Sequence, residues 1–299
     1  MSSAPRPNED SAKGLGLAIA AYFIWGFLPV YMKALAHVSP AEVIAHRILW
    51  SVPVAGAVLV WLGRTADLRV AIRTPRLIGM AAMTAVLITI NWGIYVWAIG
   101  AGHALDTALG YYINPLFSVL MGALVLGEKL TRTQMAAIAL AFLAVLILTV
   151  QNGTIPWVAL GLTLSWGFYA LLKKKLPIGP NQGFFLEILL LVPFAALVVG
   201  WHVWQGDGHF AVGNIHDTVL LAGTGLVTAV PLMLYANGAK MLRLSTIGIL
   251  QYIAPTMIFL TAVLVFGEPF GRAQMIAFPL IWMALAIYAW SLLREARRA

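Results

Sequence analysis

Ten stretches of roughly 20 mostly apolar residues, parted by short polar connections, take up almost the whole chain. A helix rises 1.5 Å per residue, so about 20 residues cross the ~30 Å hydrocarbon core of a bilayer. The pattern predicts spans at about 14–34, 41–62, 77–99, 104–126, 132–150, 156–173, 182–202, 217–239, 246–266 and 271–292. Only the connections 63–76 and 203–216 are long. Residues 1–12 are polar and contain proline, and they lack the ordered regions of a signal peptide, so they read as a disordered cytosolic tail.

The pattern also repeats. Shifting the sequence by 140 residues lays Tyr112–Met135 on Tyr252–Met275 with 11 of 24 positions identical and no gap. The matches include Pro115 with Pro255, Gly127-Glu128 with Gly267-Glu268, Arg132 with Arg272, and Gln134-Met135 with Gln274-Met275. Chance identity between apolar helices comes from Leu, Val and Ala and does not place Pro, Gly-Glu and Arg-x-Gln in step, so this is an internal duplication. Trp25-Gly26-Phe27 recurs as Trp166-Gly167-Phe168, Pro40 as Pro180 and Pro53 as Pro193. The expected units are residues 13–150 and 151–299, five spans each.

Composition turns the pattern into a class. The chain of 299 residues is 61% hydrophobic and 10% charged, against about 25% charged for a soluble domain. It is predicted to be an all-α membrane protein in contact with the lipid bilayer. The net charge of +8 does not point to nucleic acid, because the basic residues sit in loops between spans, where they set topology. With the N-terminus in the cytosol, 16 of the 19 Lys and Arg lie inside, Lys33 and Arg272 lie outside, and Arg47 lies within a helix. Both termini are therefore expected in the cytoplasm. Five spans per unit is an odd number, so the two units run through the membrane in opposite senses. Ten helices as two inverted five-helix repeats is the architecture of secondary transporters, whose sites lie near the midplane between the halves.

These features resemble a known family. Two five-helix units, each ending in a Pro-containing helix, a Gly-Glu turn and a closing helix, resemble the EamA repeats of the drug/metabolite transporter superfamily. The run His46–Ser51, the stretch Asn91-Trp92 to Trp97, and Leu109–Leu116 resemble its RarD group, whose members are labelled chloramphenicol-sensitive proteins. The resemblance implies a bacterial inner-membrane exporter of small metabolites and leaves the substrate open.

Ionisable groups inside the hydrocarbon are costly and are candidates for function. Arg47 lies about two turns into the second span, and its repeat partner is Glu187 in the seventh. One reading has Arg47 hold an anionic group of the substrate and Glu187 a cationic group or a coupling proton. The other has them neutralise each other or their neighbours. Each lies roughly 9 Å from its helix start, on opposite faces, which argues against direct contact. Asn91 sits mid-helix beside Trp92 and one turn before Tyr95. Tyr112 and Asn114 precede Pro115, as Gln251 and Tyr252 precede Pro255; such prolines free a carbonyl and let transporter helices bend at their sites. Trp25 is a candidate aromatic wall. These ten residues form the predicted substrate-binding set. Ser39-Pro40-Ala41-Glu42 reads as a helix start with Ser39 as N-cap, the run Lys173–Lys175 as a membrane anchor, and the histidines and aspartates of 202–217 as a solvated loop.

No catalytic residue, metal or cofactor is expected. The sequence holds no phosphate-binding loop, no G-x-S-x-G and no H-E-x-x-H. The expected activity is secondary-active transport of a small zwitterionic or anionic organic metabolite by alternating access, driven by the solute gradient or by proton coupling. Nothing in the sequence supports or opposes an oligomer. The alternative is a membrane-embedded enzyme, or a scaffold with a filled apolar interior, on the same duplicated fold.

Overall fold

The computed structural model describes residues 11–126, 130–212 and 214–296. The expected tail and the first Gly-Glu turn, Gly127-Glu128-Lys129, lie wholly or largely outside the described residues. What is described is all helix and turn. The long helices are α1 (Ala12–Ala34), α2 (Pro40–Trp61), α4 (Pro75–Gly100), α5 (Ala104–Leu126), α6 (Arg132–Asn152), α7 (Trp157–Lys175), α8 (Pro180–Gln205), α9 (Ile215–Ala239) and α12 (Arg272–Ala296). Short helices α3 (Ala66–Ile72), α10 (Leu244–Leu250) and α11 (Ile253–Leu260) complete the set, and a π-helical turn, Thr261–Val265, follows α11. Among the described residues nine helical segments are long and apolar enough to span a bilayer. The tenth crossing, α7, is 19 residues long and ends in three lysines, which lower its hydropathy. The protein is thus an all-α membrane protein of ten crossings in two inverted halves.

Two elements differ from the sequence pattern. The connection 63–76 contains α3, whose Ala71 is fully buried. The ninth crossing, expected as one helix, is broken: α10 ends at Leu250, the chain turns through Gln251-Tyr252, and α11 restarts at Ile253. Pro255 has no N–H to give the carbonyl of Gln251, which lets the helix break where the duplication places its proline. Its counterpart Pro115 is accommodated within an unbroken α5.

Lipid is as apolar as leucine, so these helices associate through close packing. The extensive contacts are α2 with α8 and α9, α1 with α9 and α11, α7 with α4 and α5, and α6 with α12. The halves therefore interdigitate instead of lying side by side. The tightest approach is at Gly225 of α9, where an added Cβ would fall on the backbone carbonyl of Trp50 in α2. Backbone cannot rotate away as a side chain can. Gly225→Ala is expected to cost about 2 kcal/mol through overpacking and to lower the melting temperature of the purified protein; an unchanged melting curve would mean that α2 and α9 separate freely.

The two faces are tied differently. On the face opposite the start of α1, His37 Nε2 lies 3.1 Å from Asp217 Oδ2. On the same face Glu42 accepts the His209 N–H at 2.7 Å and lies 2.9 Å from its Nδ1. Ser39 occupies the N-cap position of α2 without a side-chain hydrogen bond. Glu42 pins the 206–214 connection instead of closing a capping box, and that connection is docked on the bundle, not simply solvated. Phe210 from it stacks on His46 at 4.7 Å. Gly267 adopts φ of 65°, a left-handed turn suited to glycine, and this aims Glu268 at the start of α5. There its carboxylate accepts the Ala104 and Leu105 N–H groups at 2.7 and 2.8 Å. The carboxylate satisfies two of the four free donors of that helix and complements its dipole.

Candidate functional site

Between the halves lies a cavity of about 120 Å³. Its walls come from α1 (Tyr22, Trp25, Leu28), α2 (Arg47), α4 (Asn91, Trp92, Tyr95), α5 (Tyr111, Asn114), α7 (Trp166), α9 (Thr228, Leu232, Tyr235) and the α10–α11 break (Gln251, Ala254, Pro255, Ile258). Helices α6, α8 and α12 contribute nothing to it.

Arg47 is 3% exposed and is one of the residues lining this space. Its Nε donates to Thr228 Oγ1 at 3.0 Å, and its guanidinium lies 4.7 Å from the centre of the Trp92 ring. Nη1 is buried without a partner, and no carboxylate among the described residues forms an ion pair with Arg47. Asn91 is held from both sides. Its Nδ2 donates to the Leu162 carbonyl at 3.1 Å and to Ser165 Oγ at 3.0 Å, while the Tyr111 hydroxyl donates to its Oδ1 at 3.4 Å. The Tyr95 hydroxyl and Asn114 Oδ1 are buried and unpartnered. At the other end Trp25 meets Tyr22, Tyr235 and Trp166 at ring-centre distances of 5.6, 5.6 and 6.4 Å. The site therefore has one cationic, hydrogen-bonding pole and one aromatic pole.

Of the residues singled out in the sequence, Arg47, Asn91, Trp92, Tyr95, Asn114, Gln251 and Trp25 are brought together on this cavity. Tyr112, Glu187 and Tyr252 are elsewhere. The Tyr112 hydroxyl lies 2.9 Å from Thr256 Oγ1, joining α5 to α11. Tyr252 packs against the core with its hydroxyl buried and unpartnered. Tyr22, Thr228 and Tyr235 line the cavity although the sequence pattern did not single them out for it; Tyr111 beside Tyr112 and Trp166, the repeat partner of Trp25, which the pattern did point to, line it too.

Glu187 is 1% exposed and is not among the residues lining the cavity. It accepts from Lys173 Nζ at 2.6 Å, from Thr84 Oγ1 at 2.6 Å and from the Tyr169 hydroxyl at 3.3 Å. Lys173 thus turns inward to a carboxylate and is more than a membrane anchor. The duplication explains the division of roles. Lys33 and Lys173 are equivalent, as are Arg47 and Glu187, at an offset of 140. In the second half cation and anion occupy the paired positions and neutralise each other. In the first half both positions are cationic and cannot pair. Lys33 instead donates to the Ile99 carbonyl at 3.4 Å, and Arg47 faces the cavity.

A buried polar cavity between two inverted halves of a membrane bundle defines a transporter. The chain belongs to the EamA-like transporter family, whose family model matches residues 12–150 and 154–290. An "Uncharacterized transporter" of Vibrio cholerae is 44% identical over 98% of both chains. "Protein RarD" of Streptomyces exfoliatus is 40% identical over 98% of this chain and 93% of its own, which makes this a RarD-like member. A crystal structure of a protein 19% identical to this one covers 93% of this chain and 98% of its own, with a TM-score of 0.61; at that identity the likeness shows the fold alone.

Proposed function

We propose that this protein is a secondary-active exporter of a small zwitterionic or anionic organic metabolite, working by alternating access in a bacterial inner membrane with both termini in the cytoplasm. One observation carries the reading: Arg47, buried in the membrane interior, has no counter-ion among the described residues and lines a cavity between the halves. A structural charge at that depth would be paired, as Glu187 is. An unpaired one is tolerated where a ligand completes it. The cavity and its polar groups favour transport over a scaffold with a filled interior. The positive-inside distribution of Lys and Arg supports the orientation. In that orientation the His37–Asp217, Glu42–His209 and Glu268–α5 links close the outer face, so the arrangement fits a state shut to the outside.

The test is flux. Purified protein in liposomes should move a labelled organic anion down its own gradient faster than protein-free liposomes do, and Arg47→Gln should not. Equal flux through the variant would remove Arg47 from the transport route.

A further inference from the structure

Resting on that reading and narrowing it, we infer that the cavity takes an aromatic monocarboxylate: one negative charge, a flat apolar body and no ammonium group. The charges decide this first. Among the described residues lining the cavity, Arg47 is the sole ionised side chain, and no Asp or Glu is present. The carboxylates packed elsewhere in the bundle are engaged, Glu187 by Lys173, Glu42 by His209, Asp217 by His37 and Glu268 by the start of α5. A monoanion brings the site to neutrality. A dianion leaves one charge unpaired in a low dielectric. A zwitterion leaves its ammonium unpaired there.

Unpartnered groups decide the polar end. Of the unpartnered groups on the cavity residues, Arg47 Nη1 and the Tyr95 hydroxyl are donors and Asn114 Oδ1 is an acceptor; one neutral amide oxygen meets one of an ammonium's three donors and none of its charge. Tyr95 is three residues beyond Trp92, the ring on which Arg47 rests, so the two share a helix face. The flat guanidinium fork matches the two oxygens of a carboxylate, and the hydroxyl adds a third donor.

The aromatic pole decides the body. Its rings could solvate a cation only through their faces. Those faces are already covered in part by neighbouring edges: Trp25 with Trp166 at 82°, Tyr22 with Tyr235 at 68° and Tyr22 with Trp25 at 65°. Edge-to-face packing sets positive rims against negative faces, which leaves little for a primary ammonium that has lost its water. The same cluster, with Leu28, Leu232 and Ile258, offers a flat apolar ring a dry surface.

Four probes with one phenyl body separate the charges: 3-phenylpropanoate, L-phenylalanine, 2-phenylethylamine and phenylsuccinate. Each is titrated into the purified full-length protein, with binding read from the fluorescence of the cavity tryptophans Trp25, Trp92 and Trp166. The expected result is 3-phenylpropanoate binding at least about tenfold more tightly than L-phenylalanine, with the amine and the dianion weaker still. Tyr95→Phe, which removes a hydroxyl and no packing, should weaken 3-phenylpropanoate roughly threefold at an unchanged melting temperature. Gln251→Glu, which brings a carboxylate of similar shape to the cavity, should narrow the gap between L-phenylalanine and 3-phenylpropanoate. L-Phenylalanine binding as tightly as 3-phenylpropanoate in the unaltered protein overturns this inference and leaves the transport reading standing. Binding of 3-phenylpropanoate that survives Arg47→Gln overturns both. Binding of none of the four overturns the aromatic monocarboxylate.

Discussion

Glu187→Ala is expected to destabilise the folded protein by about 3 kcal/mol, because it breaks a buried ion pair and leaves one charge behind. The substitution strands the Lys173 ammonium, whose side chain is 19% exposed, leaves the Tyr169 hydroxyl without its acceptor, and returns the Thr84 hydroxyl to the Ala81 carbonyl of its own helix. Three helices, α4, α7 and α8, lose their common anchor at once. The measure is unfolding of the purified protein, by heat or by titration with a denaturing detergent. Lys173→Met in the Glu187→Gln background should recover part of the loss, because a neutral pair leaves no buried charge alone. Glu187→Ala unfolding like the unaltered chain would show the ion pair to be idle.

Arg47→Gln carries the opposite sign for stability. Its charge is buried with one hydrogen bond, one ring face and, among the described residues, no counter-ion. On the proposed reading, holding it out of water costs the empty protein free energy that a bound anion returns. Removing it should raise the melting temperature, or leave it unchanged, while flux falls on the order of a hundredfold, roughly the 3 kcal/mol attached to losing one partner of a buried charge pair. Stability and activity then separate at positions that one ancestral unit made equivalent: 187 serves the fold and 47 serves the ligand. Substrate-site strain held by the rest of a structure shows this trade-off generally. A sharp fall in stability with Arg47→Gln would place Arg47 among the packing residues.

The helix plan was legible because a bilayer fixes span length, and ten apolar runs of that length leave little choice. The duplication was legible because Pro, Gly-Glu and Arg-x-Gln fell in step. The break at Gln251-Tyr252 was less so, since Pro115 and Pro255 stand in matching sequence and only one interrupts its helix. Packing decides that, and α11 lies between α1 and α5 while α5 is gripped by α7. Arg47 and Asn91 stood out as polar groups in apolar runs. Tyr22 and Tyr235 did not, because a tyrosine in a membrane helix serves equally as packing, interface anchor or cavity wall, and periodicity does not tell these apart. Glu187 looked like a partner site to Arg47 by symmetry. Its true neighbour, Lys173, was hidden in a run of three lysines whose pattern is that of a membrane anchor, and only the turn from α7 into α8 brings the two together.

The chain contains no cysteine, so a single introduced thiol can be followed without background. Leu232→Cys places it on the cavity wall. The measurement is its rate of modification by a membrane-impermeant thiol reagent in right-side-out and in inverted vesicles, with and without a saturating organic anion. Alternating access predicts modification from both faces, slowed by the anion on each. Modification from one face alone, or at rates the anion does not change, would contradict a cavity that turns between the two sides of the membrane.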